Sequence, residues 1–543
     1  MNHRIAAAAA VVATSLSLVL LAASPASATT ICVPTFDPAT CPNTGGNLEK
    51  AELEDAMNTN SNDGIADRIN IAAGTFTDTG SFRTNGTQTD KLEIIGAGQG
   101  KTVLTSSSVT GTAVMNLPGT ATRVVDVSNL TIVIPASMPD SEGLALQSKG
   151  GLLQDVEIDS RNPGSDGVAL TGSVVASRVK FHGTAGGSLD DAIRLNETIP
   201  GAFTAERMTI QDSANGLIAD QADVPVRVFD SFIDSAKEAA VVVADGADVE
   251  MQNLVVDADS PQAFVITADH DPPISDSDVR FESSTIFGSS PASGTGILSK
   301  VLSFPNSGDT EVVVKNSIIR GFEFTWDQPV PIGPGFGISA LTLTDSNFPM
   351  TFPESSTGSA TVSDPGNINA DPKFAGPADF RLTEGSPSID AADPASPIAI
   401  DIEGRGRPQD GDRDGIKIND QGAYEFEPAP ASCLTDPALC PKDKVAPKIT
   451  KVKFKSPKGK KKGSLKLSLS EKAKIKAAFK PVPKGKGRKK RKTVTLNKPG
   501  KKGANSLAIK KGKLKRGKYR VIVTATDAAG NRSKAITKMV KVK

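Results

Sequence analysis

Three acids and an amide recur at one place in a repeating pattern. Glu142, Asp166, Asp191 and Asn215 each stand four positions before an apolar residue, respectively Leu146, Leu170, Leu195 and Ala219. If these positions stack in neighbouring layers of a parallel sheet, their carboxylates lie about 5 Å apart. That spacing either demands a cation or raises a pKa, and it is near the separation of a retaining glycosidase pair. A solvated acidic corner is the chemically silent alternative. Asp190 doubles the acid at Asp191, and His182 is close in sequence. Arg194 is the basic residue that a calcium-assisted elimination would use as proton acceptor.

Two further acidic runs have metal-ligand character. Asp410-Gly411-Asp412-Arg413-Asp414-Gly415 has the alternating acids and sixth-position glycine of a calcium loop. Position twelve is Gln421 instead of a bidentate glutamate, so Asp410, Asp412 and Asp414 are expected either to bind calcium modestly or to form a plain acidic turn. Asp269-His270-Asp271, placed before Pro272-Pro273, reads as an exposed loop or a metal site.

The elements that must position these groups form a repeat. Nine segments are centred on Asn129, Asp155, Arg178, Arg207, Asp230, Asn253, Ser283, Asn316 and Asp345, at spacings of 26, 23, 29, 23, 23, 30, 33 and 29 residues. An apolar residue always stands two positions before the centre and another three after it. Asn and Asp, frequent at the centre, accept a left-handed backbone and turn the chain. Val314 to Ile319 therefore reads as strand, corner and strand, with Val314, Ser317 and Ile319 inward. A further strand opens each coil, as in Gly143 to Leu146, Gly167 to Leu170 and Ala192 to Leu195. Three short strands per coil make a parallel β-helix; period-two alternation disfavours a helical solenoid. A short helix is expected from Leu48 to Asn60, covering the first coil with Leu53, Ala56 and Met57.

Two stretches carry a family resemblance. Leu53-Glu54-Asp55-Ala56-Met57-Asn58-Thr59-Asn60, followed by Asp67 to Phe76, resembles the opening motif of secreted bacterial β-helix proteins named for the string Cys-Ser-Leu-Arg-Glu-Ala. Ala51 and Glu52 replace the Cys and Ser of that string, which implies a rearranged disulfide. Asp371-Pro372-Lys373-Phe374, Asp379 to Ala391 and Gln421-Gly422-Ala423-Tyr424-Glu425 are similar to the closing segment of the choice-of-anchor Q proteins. Together the resemblances bracket residues from about 48 to 427 and imply a right-handed parallel β-helix of the pectin-lyase-like class, expected over residues 29–427 with its N-terminal cap and closing segment. Asp190-Asp191 also resembles the paired acids of polygalacturonases, but the Gly-His-Gly and Arg-x-Lys motifs of those enzymes are absent. At the far end, Leu514 to Asn531 resembles the last hairpin of small immunoglobulin-like domains on bacterial surface proteins. The expected fold is all-β: a right-handed parallel β-helix, a linker over 428–444, and a Lys-rich immunoglobulin-like β-sandwich over 445–543.

Composition sets the compartment and the partners. Residues 1–28, with Arg4, an apolar stretch and Ala26-Ser27-Ala28, read as a secretory signal cleaved after Ala28. The four cysteines form two close pairs, Cys32 with Cys41 and Cys433 with Cys440, expected as disulfides. The net charge of +1 conceals a bipolar chain: from Pro441 on, 37 Lys and Arg face three acids, a balance of +34, and the remainder carries −33. Lys484, Lys486, Arg488, Lys489, Lys490, Arg491 and Lys492 are too charged to pack and should form a mobile polyanion-binding loop. The expected product is a monomer, secreted or at the cell surface and at most peripheral to a membrane. Its partner would be an acidic polysaccharide or cell-wall polyanion such as wall teichoic acid, anionic lipid headgroups, or its own acidic solenoid. No specific nucleic-acid role is expected, for want of a base-reading motif. The leading function is a non-catalytic adhesin-like scaffold, with calcium as the one candidate cofactor; the rival is a lyase or hydrolase of acidic polysaccharide. Scarce aromatics count against a dedicated sugar cleft.

Overall fold

The nine centres are the corners of the fold. In the computed structural model, φ is positive at every one: 59° at Asn129, 51° at Asp155, 55° at Arg178, 56° at Arg207, 49° at Asp230, 52° at Asn253, 50° at Ser283, 54° at Asn316 and 50° at Asp345. A single left-handed residue bends the chain from one face to the next within one position, which is why a strand ends there and another begins. The turned backbone also aims its N–H along the axis of the stack. Arg178, Arg207, Asp230, Asn253, Ser283 and Asn316 each donate to the carbonyl just before the next corner, at 2.9–3.2 Å.

The structure describes residues 29–428 and 445–542, except 38–40, 44–46, 60–63, 109–111, 121, 139, 184–188, 197–200, 221–224, 245, 269–275, 290–293, 301–307, 329–336, 353–358, 363–365, 458–461, 483–490 and 511. The signal segment, Asp269-His270-Asp271, Cys433 with Cys440, and Lys484 to Lys490 lie outside the described residues. The chain divides after Pro428 into two compact units.

In the first unit thirty strands join in one parallel-paired sheet wound into coils. One face runs through Asp166–Ser177, Leu189–Asn196, Ser213–Asp220, Ala239–Ala244, Gln262–Thr267, Thr295–Lys300 and Phe324–Asp327. A second runs through Phe203–Glu206, Pro225–Phe229, Asp248–Gln252, Ser277–Glu282, Thr310–Lys315 and Ser339–Thr344. A third runs through Lys180–Gly183, Thr209–Gln211, Phe232–Ala236, Val255–Ala258, Thr285–Gly288 and Ile318–Arg320. Strand register aligns Leu144, Val168, Ile193, Leu217, Val241, Phe264, Ile297 and Trp326 into one interior column, none more than 1% exposed. Burial of each such side chain contributes roughly 1.5–3 kcal/mol. Trp326, the chain's one tryptophan, is therefore core; its indole N–H donates to Ser299 Oγ at 3.0 Å.

The opening end is covered as expected by Leu53, Ala56 and Met57. The helix is shorter than the sequence suggests, Leu53–Thr59, because Leu48–Glu49 instead pairs as a strand with Thr29–Val33. Cys32 and Cys41 are disulfide-bonded. The closing segment lies along the side of the coils. Gly422 N–H donates to Asn316 O at 2.7 Å, Ala423 N–H to Thr285 Oγ1 at 3.0 Å, and Asn253 Nδ2 to Ile400 O at 3.0 Å. Phe380 and Ala423 bury against Val255, with Phe232, Phe287 and Phe374 around them.

The second unit has two antiparallel sheets. Three strands, Ile449–Lys455, Gly463–Leu469 and Gly503–Ile509, face four, Val494–Gly500, Ala473–Pro481, Gly517–Thr526 and Ile536–Val542, across a shared core that includes Leu465, Phe479, Ile509 and Val521.

The corner geometry sets a substitution test at Arg207, whose side chain is 57% exposed and so free of packing complications. Arg207→Gly should leave the thermal midpoint unchanged or raise it. Arg207→Val should be less stable than the parent, and less stable than Arg207→Gly by at least about 1–2 kcal/mol, the cost of a left-handed backbone at a residue with a Cβ, which β-branching increases.

Candidate functional site

The acid column forms as the register requires. Glu142 lies beside Asp166, and Asp191 beside Asn215, in adjacent coils of the first face. The flanking coils place Ala113 and Ala239 at the same level, which confines the acids to three coils. Each acid precedes a small residue for a steric reason. A Cβ on Gly167 would sit 2.4 Å from Ala192 O and 2.8 Å from Phe181 Cδ1.

Asp166, Asp190 and Asp191 bring one carboxylate oxygen each within 4.8 Å of the others. Asp166 Oδ1 accepts the Asp191 N–H at 3.2 Å, and Asp191 Oδ1 accepts Asn215 Nδ2 at 3.0 Å. Arg194 Nη2 donates to Asp191 Oδ2, and Arg194 Nε lies 3.7 Å from Asp166 Oδ2. Asp191 is only 1% exposed, with both oxygens engaged. Burial, then the charge of Asp191, pushes Asp166 up to about 6. Burial also raises Asp191, and burial followed by Asp166 raises Glu142. Beside the column is a depression of about 250 Å³, walled by Asn116, Glu142, Ala145, Gln147, Ala169 and Thr171.

His182 belongs to the third face, where its Nε2 lies 3.1 Å from Glu157 Oε1 and its Nδ1 3.6 Å from Asp159 Oδ1. The structure thus brings together Glu142, Asp166, Asp190, Asp191 and Arg194, and gives His182 separate acidic partners.

In the closing segment Asp410 and Asp412 do converge, but their third acid is Asp390, with oxygens within 4.8 Å. Asp390 Oδ2 accepts the Asp412 N–H at 2.7 Å. Burial holds the Asp390 carboxyl above its usual range. Asp410 Oδ1 is buried without a hydrogen-bond partner, an acceptor that a hard cation would satisfy. Asp414 instead accepts the Ile416 N–H at 2.7 Å. Gln421 is fully buried and donates to Ala391 O and Gly366 O, a backbone role that a carboxylate would not fill. Asp390 lies twenty residues before Asp410; its left-handed φ of 53° aims it into the loop. Nothing local in Ser388-Ile389-Asp390-Ala391 marks Asp390 as the partner of a loop twenty residues on; its left-handed conformation is a property of the fold.

Two outcomes test this geometry. A carboxyl raised from 3.8 to about 6 favours folding below its unfolded pKa, and that stability is lost as pH rises through 6. Asp166→Asn should therefore match the parent's thermal midpoint near pH 4 and exceed it near pH 7.5, by up to about 3 kcal/mol. Calcium should raise the midpoint of the parent chain, and Asp390→Asn should remove that increment as fully as Asp412→Asn. Identical melts in calcium and in chelator would leave an acidic turn alone.

No protein-family model matches the chain, and no curated protein matches it. Among solved structures it is similar to an alginate lyase from a Paenibacillus species, at 15% identity over 59% of this chain and 96% of that one, with a TM-score of 0.34. It is similar to the catalytic unit of a thermostable α-1,3-glucanase from Streptomyces thermodiastaticus, at 14% identity over 64% and 70%, with a TM-score of 0.35. A third similar structure is a tailspike from an Acinetobacter baumannii bacteriophage, a capsular polysaccharide depolymerase, at 10% identity over 88% and 73%, with a TM-score of 0.35. At these values the likeness concerns fold alone, and the strand register is what defines this chain as a parallel β-helix.

Proposed function

We propose that this chain is a secreted or cell-surface β-helix scaffold, adhesin-like and non-catalytic, whose Lys-rich sandwich holds it to an envelope polyanion. The observation that carries the non-catalytic part is the state of Asp191. An acid 1% exposed, with Arg194 on one oxygen and Asn215 on the other, presents almost no surface to a substrate. It organises the corner instead. Secretion is supported by the Cys32–Cys41 disulfide, which belongs to an oxidising compartment. Among the described residues no helix is long and apolar enough to cross a membrane. Membership of the choice-of-anchor Q group remains part of this proposal, supported by the closing segment's close attachment to the coils. So does calcium at Asp390, Asp410 and Asp412.

One observation favours a polysaccharide lyase or hydrolase: Asp166, pushed up to about 6, is a carboxyl suited to proton transfer near neutrality and adjoins the depression at Glu142. Depolymerisation assays on pectate, alginate and glycosaminoglycans, with calcium, separate the two. The expected result is no turnover above background. Turnover that Asp166→Asn or Asp191→Asn abolishes would replace the scaffold by an enzyme. For the anchoring part, the chain from Thr29 onward should bind isolated cell walls at low salt and be released steeply as salt rises. Lack of binding at low salt refutes electrostatic anchoring.

A further inference from the structure

The Lys-rich unit places its cations unevenly. On the outer face of the four-stranded sheet, Lys480 lies directly opposite Arg520, and Lys518 directly opposite Lys541. All four are exposed. Opposed pairs sit about 5 Å apart at Cα, and successive pairs about 7 Å apart along the strands. Like charges placed directly opposite repel and weaken the sheet that carries them. Solubility alone would be served as well by scattering them.

Among the described residues, neutralisation within the unit is distant. Its acids are Asp436 and Asp443, both outside the described residues, Glu471 and Asp527. Glu471 precedes Ala473–Pro481 and Asp527 follows Gly517–Thr526, both beside the Lys474–Thr526 pair at the opposite end of the sheet. Six residues of strand separate that end from Lys480 and Arg520, about 20 Å, against a screening length of about 8 Å at physiological ionic strength. At the cationic end, Arg491 Nη1 donates to Arg516 O at 2.9 Å, which brings the end of the basic run at 484–492 to the same edge.

We infer that the outer-face cluster of Lys480, Arg520, Lys518 and Lys541 is a binding surface for a linear phosphodiester polymer of the cell envelope. The inference rests on the anchoring reading above and locates it on the sheet instead of on the basic loop. Each cation pair spans two strands. Two cations on separate strands can each donate to a different non-bridging oxygen of one phosphodiester, and three of the four are lysines, which meet phosphate as point charges without the planar fork of an arginine. Successive pairs along the strands then take successive phosphates. The side chains between them also discriminate. The face offers as apolar contacts Met539, Pro499 and the half-buried Ile522 and Ala478, too little for insertion into lipid. It presents no aromatic platform for bases, because Tyr519 is turned inward, 3% exposed, with its hydroxyl on Lys515 O.

The test uses the chain from Thr29 onward and purified poly(glycerol phosphate) as probe. One variant carries Lys480→Gln, Lys518→Gln, Arg520→Gln and Lys541→Gln. An isocharged control carries Lys451→Gln, Lys455→Gln, Lys474→Gln and Lys476→Gln, exposed on the other sheet and at the far end of this one and, unlike the opposed Lys453 and Lys466, with no cation directly across from them. The face variant should bind at least tenfold more weakly than the control, and its log–log salt slope should fall by about three. Lys480→Arg with Lys518→Arg and Lys541→Arg should retain parental binding, which guards against a folding artefact. Equal losses in the two Gln variants would overturn the cluster in favour of diffuse charge. Tighter parental binding to phosphatidylglycerol vesicles, polygalacturonate or single-stranded DNA would overturn the choice of partner. A parent that binds none of these probes fails the anchoring proposal itself, an outcome distinct from either.

Discussion

The structure depends on one hydrogen bond repeated down its length, from the N–H of a left-handed corner to a carbonyl of the next coil. A coil has no helix of its own and no antiparallel hairpin to satisfy its backbone, so its polar groups are paired only by the coils above and below. The corner residue makes that pairing continuous where two faces meet. Without it the strands on either side would splay, and the interior column from Leu144 to Trp326 would lose its alignment. The conformation costs about 1–2 kcal/mol at each non-glycine residue. The fold accepts this cost nine times over because each corner positions two strands and about two buried side chains.

The same axial repetition that aligns apolar residues aligns acids, and the two have opposite consequences. Stacked Val and Ile gain contact with each coil added. Stacked carboxylates gain only repulsion and desolvation, which is why the column at Glu142, Asp166 and Asp191 stops after three coils and why Arg194 and Asn215 are recruited to it. The closing segment handles buried charge differently. Arg407 and Glu425 are fully buried, with Arg407 also donating to Asp420 O and Gly422 O, while Glu425 accepts the N–H groups of Gln409 and Asp420. Burial and the neighbouring Glu425 push Asp420 well above the usual carboxylate range. Such a knot adds little net stability over an apolar one, but every member is tied to a specific backbone group, so it fixes how an irregular segment lies against the coils.

The coils were legible because their signal is local and repeated. An apolar residue two before and three after each corner identifies both strands, and even Arg178, Arg207 and Ser283, poor left-handed residues by type, were placed by position alone. The acid column was legible for the same reason, since a fixed offset from an inward Leu becomes a fixed height in the stack. The closing segment has no period, so its partners could not be read. Asp390 joins Asp410 through a fold-back of irregular chain, Gln421 is consumed by backbone carbonyls, and the attachment to Asn253, Thr285 and Asn316 spans up to 147 residues. The helix boundary failed for a narrower reason: the Leu48–Glu49 pairing with Thr29–Val33 is non-local.

Charge segregation follows from these two architectures. A parallel β-helix exposes outward rows in which every residue has a neighbour above and below, so opposite signs can pair between coils, as Arg178 does with Asp155 and Arg227 with Glu250. A chain that used this freedom fully would be near neutral, yet the part before Pro441 carries −33. The sandwich has fewer than a hundred described residues and places lysine on strand after strand of both outer faces. Neither unit neutralises itself, although each fold would permit it. Charge held apart in this way costs each unit self-repulsion, and that cost is offset only when one of the surfaces meets a partner of opposite sign.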